Sequence, residues 1–306
     1  MRVLVTGDRG RIGRPLTRAL RTHGIAVSGF DRVRGDELLD ASSVRAAAAG
    51  CDAIVHAAAL PAHHAGSDDE IMAVNVSGTQ HVLLAAEQLG IPRVVHFSSI
   101  QVFGLAKGEL APLYLPVDDD HPRRATRPYG VSKRLGEDLC AEAATNAGTV
   151  TVSLRPVAGW SPPSYRHMRR RELLRPVDQW SWRDGTFVDI RDVTTAVIAA
   201  LTVPLEGHVP MLLSSADVAY PLPTAEMTAR LLPDVPWRDG AGTDASHPFV
   251  APFDTSVAWA TLGWVPRYTW SRWTRGHGRV ERVLWPTRRA AAGARRAARR
   301  LRTGTG

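Results

Sequence analysis

The chain has 306 residues, 44% of them apolar, with 38 basic side chains against 30 acidic ones and a formal net charge of +8. That length suits one large domain or a domain with an appended lobe, and no apolar run approaches the ~20 residues of a membrane span. Two cysteines, Cys51 and Cys140, are too few for a disulfide framework or a thiolate metal site, so no metal is expected and the chain reads as cytoplasmic.

Charge and aromaticity are unevenly spread. Residues 267–306 carry twelve arginines and one acid, Glu281, while the rest holds 26 basic and 29 acidic groups. All nine tryptophans lie from Trp160 onward, so the chain changes character near residue 160.

The chain enters directly on a strand-like run, Arg2-Val-Leu-Val-Thr6, without the charged start, apolar core and cleavage site of a signal peptide. Gly7-Asp-Arg-Gly10-Arg-Ile-Gly13 follows, and Arg14 to Thr22 reads as a helix, its Pro15 tolerated in the first turn. Ile25 to Phe30 is a second strand ending at Asp31. Ser42 to Ala49 looks helical, and Asp52 to Ala59 is a buried strand. A long helix is expected from Asp68 to Leu89, closed by Gly90, then a strand over Arg93–Ser99. A helix from Tyr129 to Asn146 and a strand over Thr149–Leu154 complete the alternation. Strands alternating with helices predict an α/β fold, a doubly wound parallel sheet of the Rossmann kind, with a smaller, discontinuous C-terminal substrate lobe. The expected boundaries are 1–158 plus 186–203 for the dinucleotide-binding domain, 159–185 plus 204–286 for the lobe, and 287–306 for a basic Ala/Arg-rich tail. Residues 159–185 show no clear periodicity; strand-like Phe187–Ile190 and Val209–Leu213 and helices over 192–201, 224–232 and 254–262 follow.

The glycine pattern sits between a strand and a helix, where it has a physical meaning. Gly7 permits a tight turn, Gly10 lets the backbone approach a pyrophosphate, and Gly13 lets helix and strand pack closely. Asp31, eighteen residues beyond Gly13, is placed to accept ribose hydroxyls, which favours NAD. NADP stays open, because Arg9 or Arg32 could grip a 2′-phosphate. Tyr129-Gly-Val-Ser-Lys133 puts a phenol and an amine one helical turn apart, and the ammonium is expected to draw the tyrosine pKa down. The chain has only two lysines, Lys107 and Lys133, against thirty-six arginines, so a lysine here is not the default cation.

These segments resemble the extended short-chain dehydrogenase/reductases, the NAD-dependent epimerase/dehydratase family. Thr6 to Gly13 is similar to its cofactor loop, and Asp52 to Ala59 to the strand whose end passes under the cofactor. Asn75-Val-Ser-Gly-Thr79 matches its helix asparagine, and Phe97 to Gly104 its serine segment. Tyr129-x-x-x-Lys133, Leu154-Arg-Pro156, Phe187 to Asp192 and Leu262-Gly-Trp-x-Pro266 extend the resemblance to about residue 270. It implies Tyr129 as acid/base, Lys133 as pKa modulator and ribose ligand, and Ser99 as partner of the reacting oxygen. It also implies cofactor contacts from Gly7, Arg9, Gly10, Arg11, Ile12, Asp31, Arg32, Glu37, Leu38, Ala57, Ala58, Ala59, Asn75 and Pro156 beside Tyr129 and Lys133, and a homodimer through the helices near 68–89 and 127–146.

The departures narrow the chemistry. The family's dehydratases follow their catalytic residue with Asp and Glu, but here Ile100 and Gln101 stand there, which argues against dehydration. Ala158 replaces the asparagine that contacts nucleotide diphosphates in many epimerases. Ser99, Gln101, His63 and Arg166 are candidate substrate contacts. His63 and His64 read more simply as polar loop residues, the arginines of 166–175 equally as a solvated helix face, and most tryptophan rings as core. The tail reads as solvated rather than as a nucleic-acid or membrane anchor. The sequence thus predicts an NAD-dependent oxidoreductase acting at a secondary alcohol of a sugar-like small molecule, by epimerisation or dehydrogenation. The alternative is a non-catalytic NAD-sensing binding protein, which has no need of Ser99, Tyr129 and Lys133 together.

Overall fold

The computed structural model describes residues 1–63, 66–105, 109–174, 176–238 and 246–274. In chain order its elements are β1 (Arg2–Thr6), α1 (Gly13–Thr22), β2 (Ala26–Phe30), α2 (Ala41–Ala48), β3 (Ala53–His56), α3 (Asp68–Met72), α4 (Gly78–Gln88), β4 (Arg93–Phe97), α5 (Pro128–Asn146) and β5 (Val150–Pro156). Then come β6 (Gly159–Trp160), α6 (Pro162–Leu174), β7 (Val188–Asp189), α7 (Ile190–Thr202), β8 (His208–Leu213), α8 (Thr224–Leu231), α9 (Ser256–Leu262) and α10 (Trp270–Thr274).

The main sheet has six strands in the order β2-β1-β3-β4-β5-β8. β1 pairs in parallel with β2 on one side and β3 on the other, Val3 facing Val27 and Ala53. β3–β4 and β4–β5 are also parallel. Val3, Leu4 and Val5 and all of β3 are buried, as strands covered on both faces require. The chain leaves β1 in one direction and then crosses to β3 on the other side. The C-terminal ends of those two strands therefore flank the topological switch point, where open α/β sheets take ligands.

The described chain divides into two compact units. The first comprises Met1–Glu109, Pro122–Arg155 and Val197–Met211; the second comprises Leu110–His121, Pro156–Ala196 and the chain from Leu212. In the first, Ser67 caps α3 by accepting from Glu70 N, and three acids occupy that first turn, where the helix dipole favours negative charge. Pro128 opens α5 at a position that needs no N–H donor.

The single helix expected over 68–89 is interrupted: Ala73–Ser77 forms a π-helical turn between α3 and α4. The widened turn carries Asn75, whose side chain is committed to partners outside the helix. Apolar periodicity cannot reveal a one-residue widening.

The second unit packs an aromatic core. Trp160 stacks on Phe187 at 4.3 Å between ring centroids, with Tyr165 and Trp270 edge-on to Trp160. Trp180, Trp182 and Trp264 are buried too, which makes most of the described tryptophans structural. The irregular-looking 159–185 stretch contains helix α6, with Tyr165 and Met168 buried. Prolines and arginines dilute that apolar stripe too far for periodicity to show it. Arg166 and Arg169 lie on the exposed side, and Arg169 rests over the Trp273 ring. The side chains of Arg170 and Arg171, all of Arg175, and the basic tail over 287–306 lie outside the described residues.

Candidate active site

The glycine loop is wound too tightly for side chains. Gly7 has φ +71°, and a Cβ there would lie 2.8 Å from both N and Cα of Ala58. A Cβ on Gly13 would sit 2.0 Å from the Gly7 carbonyl oxygen. The amide of Ala58 donates to Thr6 Oγ1 at 3.2 Å, joining the ends of β1 and β3. Ala57, Ala58 and Ala59 leave that floor half-open. Arg11 is exposed and Ile12 half-buried at the start of α1.

Asp31 stands just past β2, where its carboxylate accepts from Arg9 N and from Val33 N, both at 3.0 Å. Its own amide donates to Asp36 Oδ2 at 2.7 Å, and Asp36 belongs to the Asp36-Glu37-Leu38 stretch whose register the sequence left open. Arg32 and Glu37 are exposed. Leu38 packs on the helix face at Gly78, where a Cβ would lie 2.4 Å from its Cδ2. These residues form a cradle suited to a dinucleotide: bare main chain at a helix start, and an anchored carboxylate at the end of the next strand.

Ser99, Tyr129 and Lys133 meet beyond the end of β4. Ser99 caps a 3₁₀ turn over Ile100–Phe103 by accepting from Gln101 N at 3.2 Å, and Gln101 is half-buried in that turn. Gly130 brings α5 against the turn, since a Cβ there would lie 2.6 Å from the Gln101 carbonyl oxygen. That close approach sets Tyr129 beside Ser99. Burial pushes the Tyr129 phenol up to about 12, and the hydrogen bond with Ser99 acts the other way. Lys133 is buried, its Nζ donates to the Phe97 carbonyl at 2.8 Å, and it stands 5.8 Å from the Tyr129 ring centroid. Burial lowers its pKa to about 8. The expectation of a lowered Tyr129 pKa is therefore corrected in its net direction: desolvation of the half-buried phenol outweighs what favours its charged form, and desolvation also dominates at Lys133.

Asn75 is buried and fully engaged. Its Oδ1 accepts from Leu60 N at 2.8 Å, and its Nδ2 donates to Leu60 O and Ser132 Oγ, both at 3.0 Å. It thereby ties the loop after β3 to α5. Behind Lys133, Arg155 makes a bidentate pair with Glu137, both contacts 2.7 Å, and Ser98 Oγ donates to Glu137 at 2.6 Å. Burial opposes ionisation of Glu137, but Arg155, Ser98 and Arg123 outweigh it and hold the carboxyl below its usual range. Gly130, Ser98 and this ion pair were missed from sequence; only the Arg155–Glu137 complementarity left any trace, and it spans two elements.

His63 is exposed in a turn and His64 lies outside the described residues. Pro156 ends β5 and begins the second unit, to which Arg166 also belongs.

Residues 3–211 match the model of a family described as the NAD dependent epimerase/dehydratase family. The chain belongs to that family. It is accordingly an NAD-dependent enzyme of the extended short-chain dehydrogenase/reductase type, and the reading of a binding protein without chemistry has no support. Among its relatives is a uronate dehydrogenase of Pseudomonas syringae pv. tomato, 29% identical over 219 residues, covering 68% of this chain and 72% of that protein. A 4-hydroxy-2-methyl-3-oxo-4-farnesyl-3,4-dihydroquinoline-1-oxide ketoreductase of Stigmatella aurantiaca is 37% identical over 203 residues, 60% of this chain and 58% of the relative. The chain thus spans less than two thirds of the length of some relatives it matches. A short-chain dehydrogenase/reductase superfamily structure from Agrobacterium tumefaciens, solved with bound NAD, aligns with a TM-score of 0.67 at 24% identity over 99% of this chain and 100% of that one. At that identity the likeness speaks for the fold.

Proposed function

We propose that this family member is a dehydrogenase or reductase that moves a hydride between NAD and a secondary alcohol of a sugar-like or otherwise polyhydroxylated small molecule. One observation carries the reading: Ser99, Tyr129 and Lys133 converge, and the buried carboxylate one helical turn beyond Lys133, Glu137, is already tied to Arg155. The names of curated relatives, a uronate dehydrogenase and a ketoreductase, support redox turnover and make sugar acids the first substrates to try.

In this mechanism NAD, when bound, accepts the hydride. Gly7, Gly10 and the start of α1 would hold its diphosphate, and Asp31 its adenosine ribose. Tyr129 takes the hydroxyl proton as the carbon loses its hydride, so an alcohol becomes a carbonyl; the reverse sequence reduces a ketone. Ser99 holds the reacting oxygen, and the Lys133 ammonium favours the phenolate in the moment it forms. Ile100 and Gln101 offer no acid or base, which sets dehydration aside. A homodimer is part of the proposal, supported by exposed Leu84 and Leu89 on and beside α4. So is a cytoplasmic setting, supported by two free, buried cysteines.

Protein purified and then denatured should release little nicotinamide, and NADH should accumulate when NAD and a hexuronate are supplied. Stoichiometric nicotinamide release with no net NADH would instead mark an epimerase, which regenerates its coenzyme in every cycle.

A further inference from the structure

The first unit holds a cavity of about 760 Å³ that Ser99, Tyr129 and Lys133 do not line. Its wall carries Arg9, Arg14, Arg18, Arg21 and Arg34 against a single acid, Asp8. Asp8 is buried and pairs with Arg34, with Arg9 Nε 3.9 Å away. Arg14 Nε donates to the Arg9 carbonyl at 2.7 Å. Among the described residues no carboxylate pairs with Arg18 or Arg21. Arg14, Arg18 and Arg21 recur at steps of four and three residues, so they share one face of α1. Like charges on one helix face repel, and Arg14 in the first turn also has the wrong sign for the helix dipole.

A second, independent observation points to a ligand. Thr17 also lines the cavity and is only 7% exposed, yet among the described residues its hydroxyl has no hydrogen-bond partner. A buried hydroxyl left unpaired is costly, and one beside unpaired guanidinium groups is arranged as a further donor to an oxyanion. Gly29 on edge strand β2 makes room for the Asp8–Arg34 pair at the floor: a Cβ there would lie 2.5 Å from Asp8 Oδ2.

We propose that this cavity binds a phosphate monoester dianion carried by a small molecule other than the hydride-carrying coenzyme. Guanidinium forks match phosphate oxygens bidentately, and Thr17 adds a hydrogen bond. Arg18 and Arg21 lie ~7 and ~12 Å along the helix axis beyond Gly13, past the place where a diphosphate meets the helix start. The volume exceeds what one phosphate fills and leaves room for its carrier.

Inorganic phosphate titrated calorimetrically into the full chain, against chloride at equal ionic strength, should bind saturably at one site. The double substitution Arg18→Gln/Arg21→Gln, at exposed positions, should weaken that binding about tenfold or more while NAD affinity stays within about twofold. Thr17→Val, which keeps the side-chain volume, should weaken it several-fold. Phosphate should bind equally well with saturating NAD or NADP present. Absence of saturable binding, unchanged affinity in the double variant, or displacement of phosphate by NADP but not NAD would overturn the proposal; the last result would assign the cavity to the coenzyme's own 2′-phosphate.

Discussion

Lys133 and Tyr129 each lose part of their ordinary proton chemistry to burial, in opposite directions. Desolvation penalises the charged form, so the lysine pKa falls to about 8 and the tyrosine pKa rises to about 12. A lysine whose folded pKa is depressed binds its proton less firmly in the folded state. Between about pH 8 and 10.5 the unfolded chain therefore holds a proton that the folded chain has released, and stability rises with pH across that window. Lys133→Met should flatten this rise in denaturation measured at pH 8, 9 and 10, and should lower turnover at every pH. Wild-type turnover should itself decline above about pH 8, as the ammonium loses its charge. The Tyr-x-x-x-Lys spacing was legible because it is local. The sign of the tyrosine shift was not, because burial depends on segments distant in sequence, such as the turn at Gln101 against which Gly130 packs.

At the level of elements, three contacts assemble the site: α5 against the 3₁₀ turn, the π-helical turn against the loop after β3, and the glycine loop against the end of β3. The last was readable, since Gly7 and Gly13 announce a close approach in their own spacing. The other two were not. Gly130 stands inside the recognisable Tyr–Lys stretch, yet nothing in that stretch says that its missing Cβ faces the Gln101 carbonyl. Gly130→Ala should place a methyl 2.6 Å from that oxygen and 2.9 Å from Ala125 Cβ, pushing α5 away from Ser99. Overpacking of this kind costs about 1–3 kcal/mol, and a shift in Tyr129 should lower kcat more than it raises KM. Thermal unfolding and steady-state kinetics of this one variant check both parts. Asn75 illustrates the same limit: its type and position were readable, but its three bonds to Leu60 and Ser132 depend on a helix widened by one residue.

Across the whole molecule, the parallel, doubly wound class of the sheet was legible in the alternation of strands and helices, whereas the order of its strands was not. The second unit was less legible, because its aromatic core draws on β6, α6, α8 and α10 without a period to mark them. Two buried histidines of the first unit, His56 and His96, and the half-buried His208 set a further property. Burial lowers His56 to about 3 and His208 to about 4, and holds His96 well below its ordinary value. They stay neutral in the fold but take up protons near pH 6.5 once it opens. Their contribution is present above that pH and is lost as pH falls towards the folded values. Unfolding at about pH 5 should therefore consume about three protons from these groups, and the Tm should fall steeply between pH 6 and 4. His56→Asn should make that descent shallower by about one proton.

The central claim is that Tyr129 moves the proton that accompanies hydride transfer. Tyr129→Phe keeps the ring and its packing and removes only the hydroxyl. NADH formation at saturating NAD should fall by ~10²–10⁴-fold while the affinity for NAD, measured separately by fluorescence titration, stays close to wild type. Turnover within a few-fold of wild type in that variant would contradict the account.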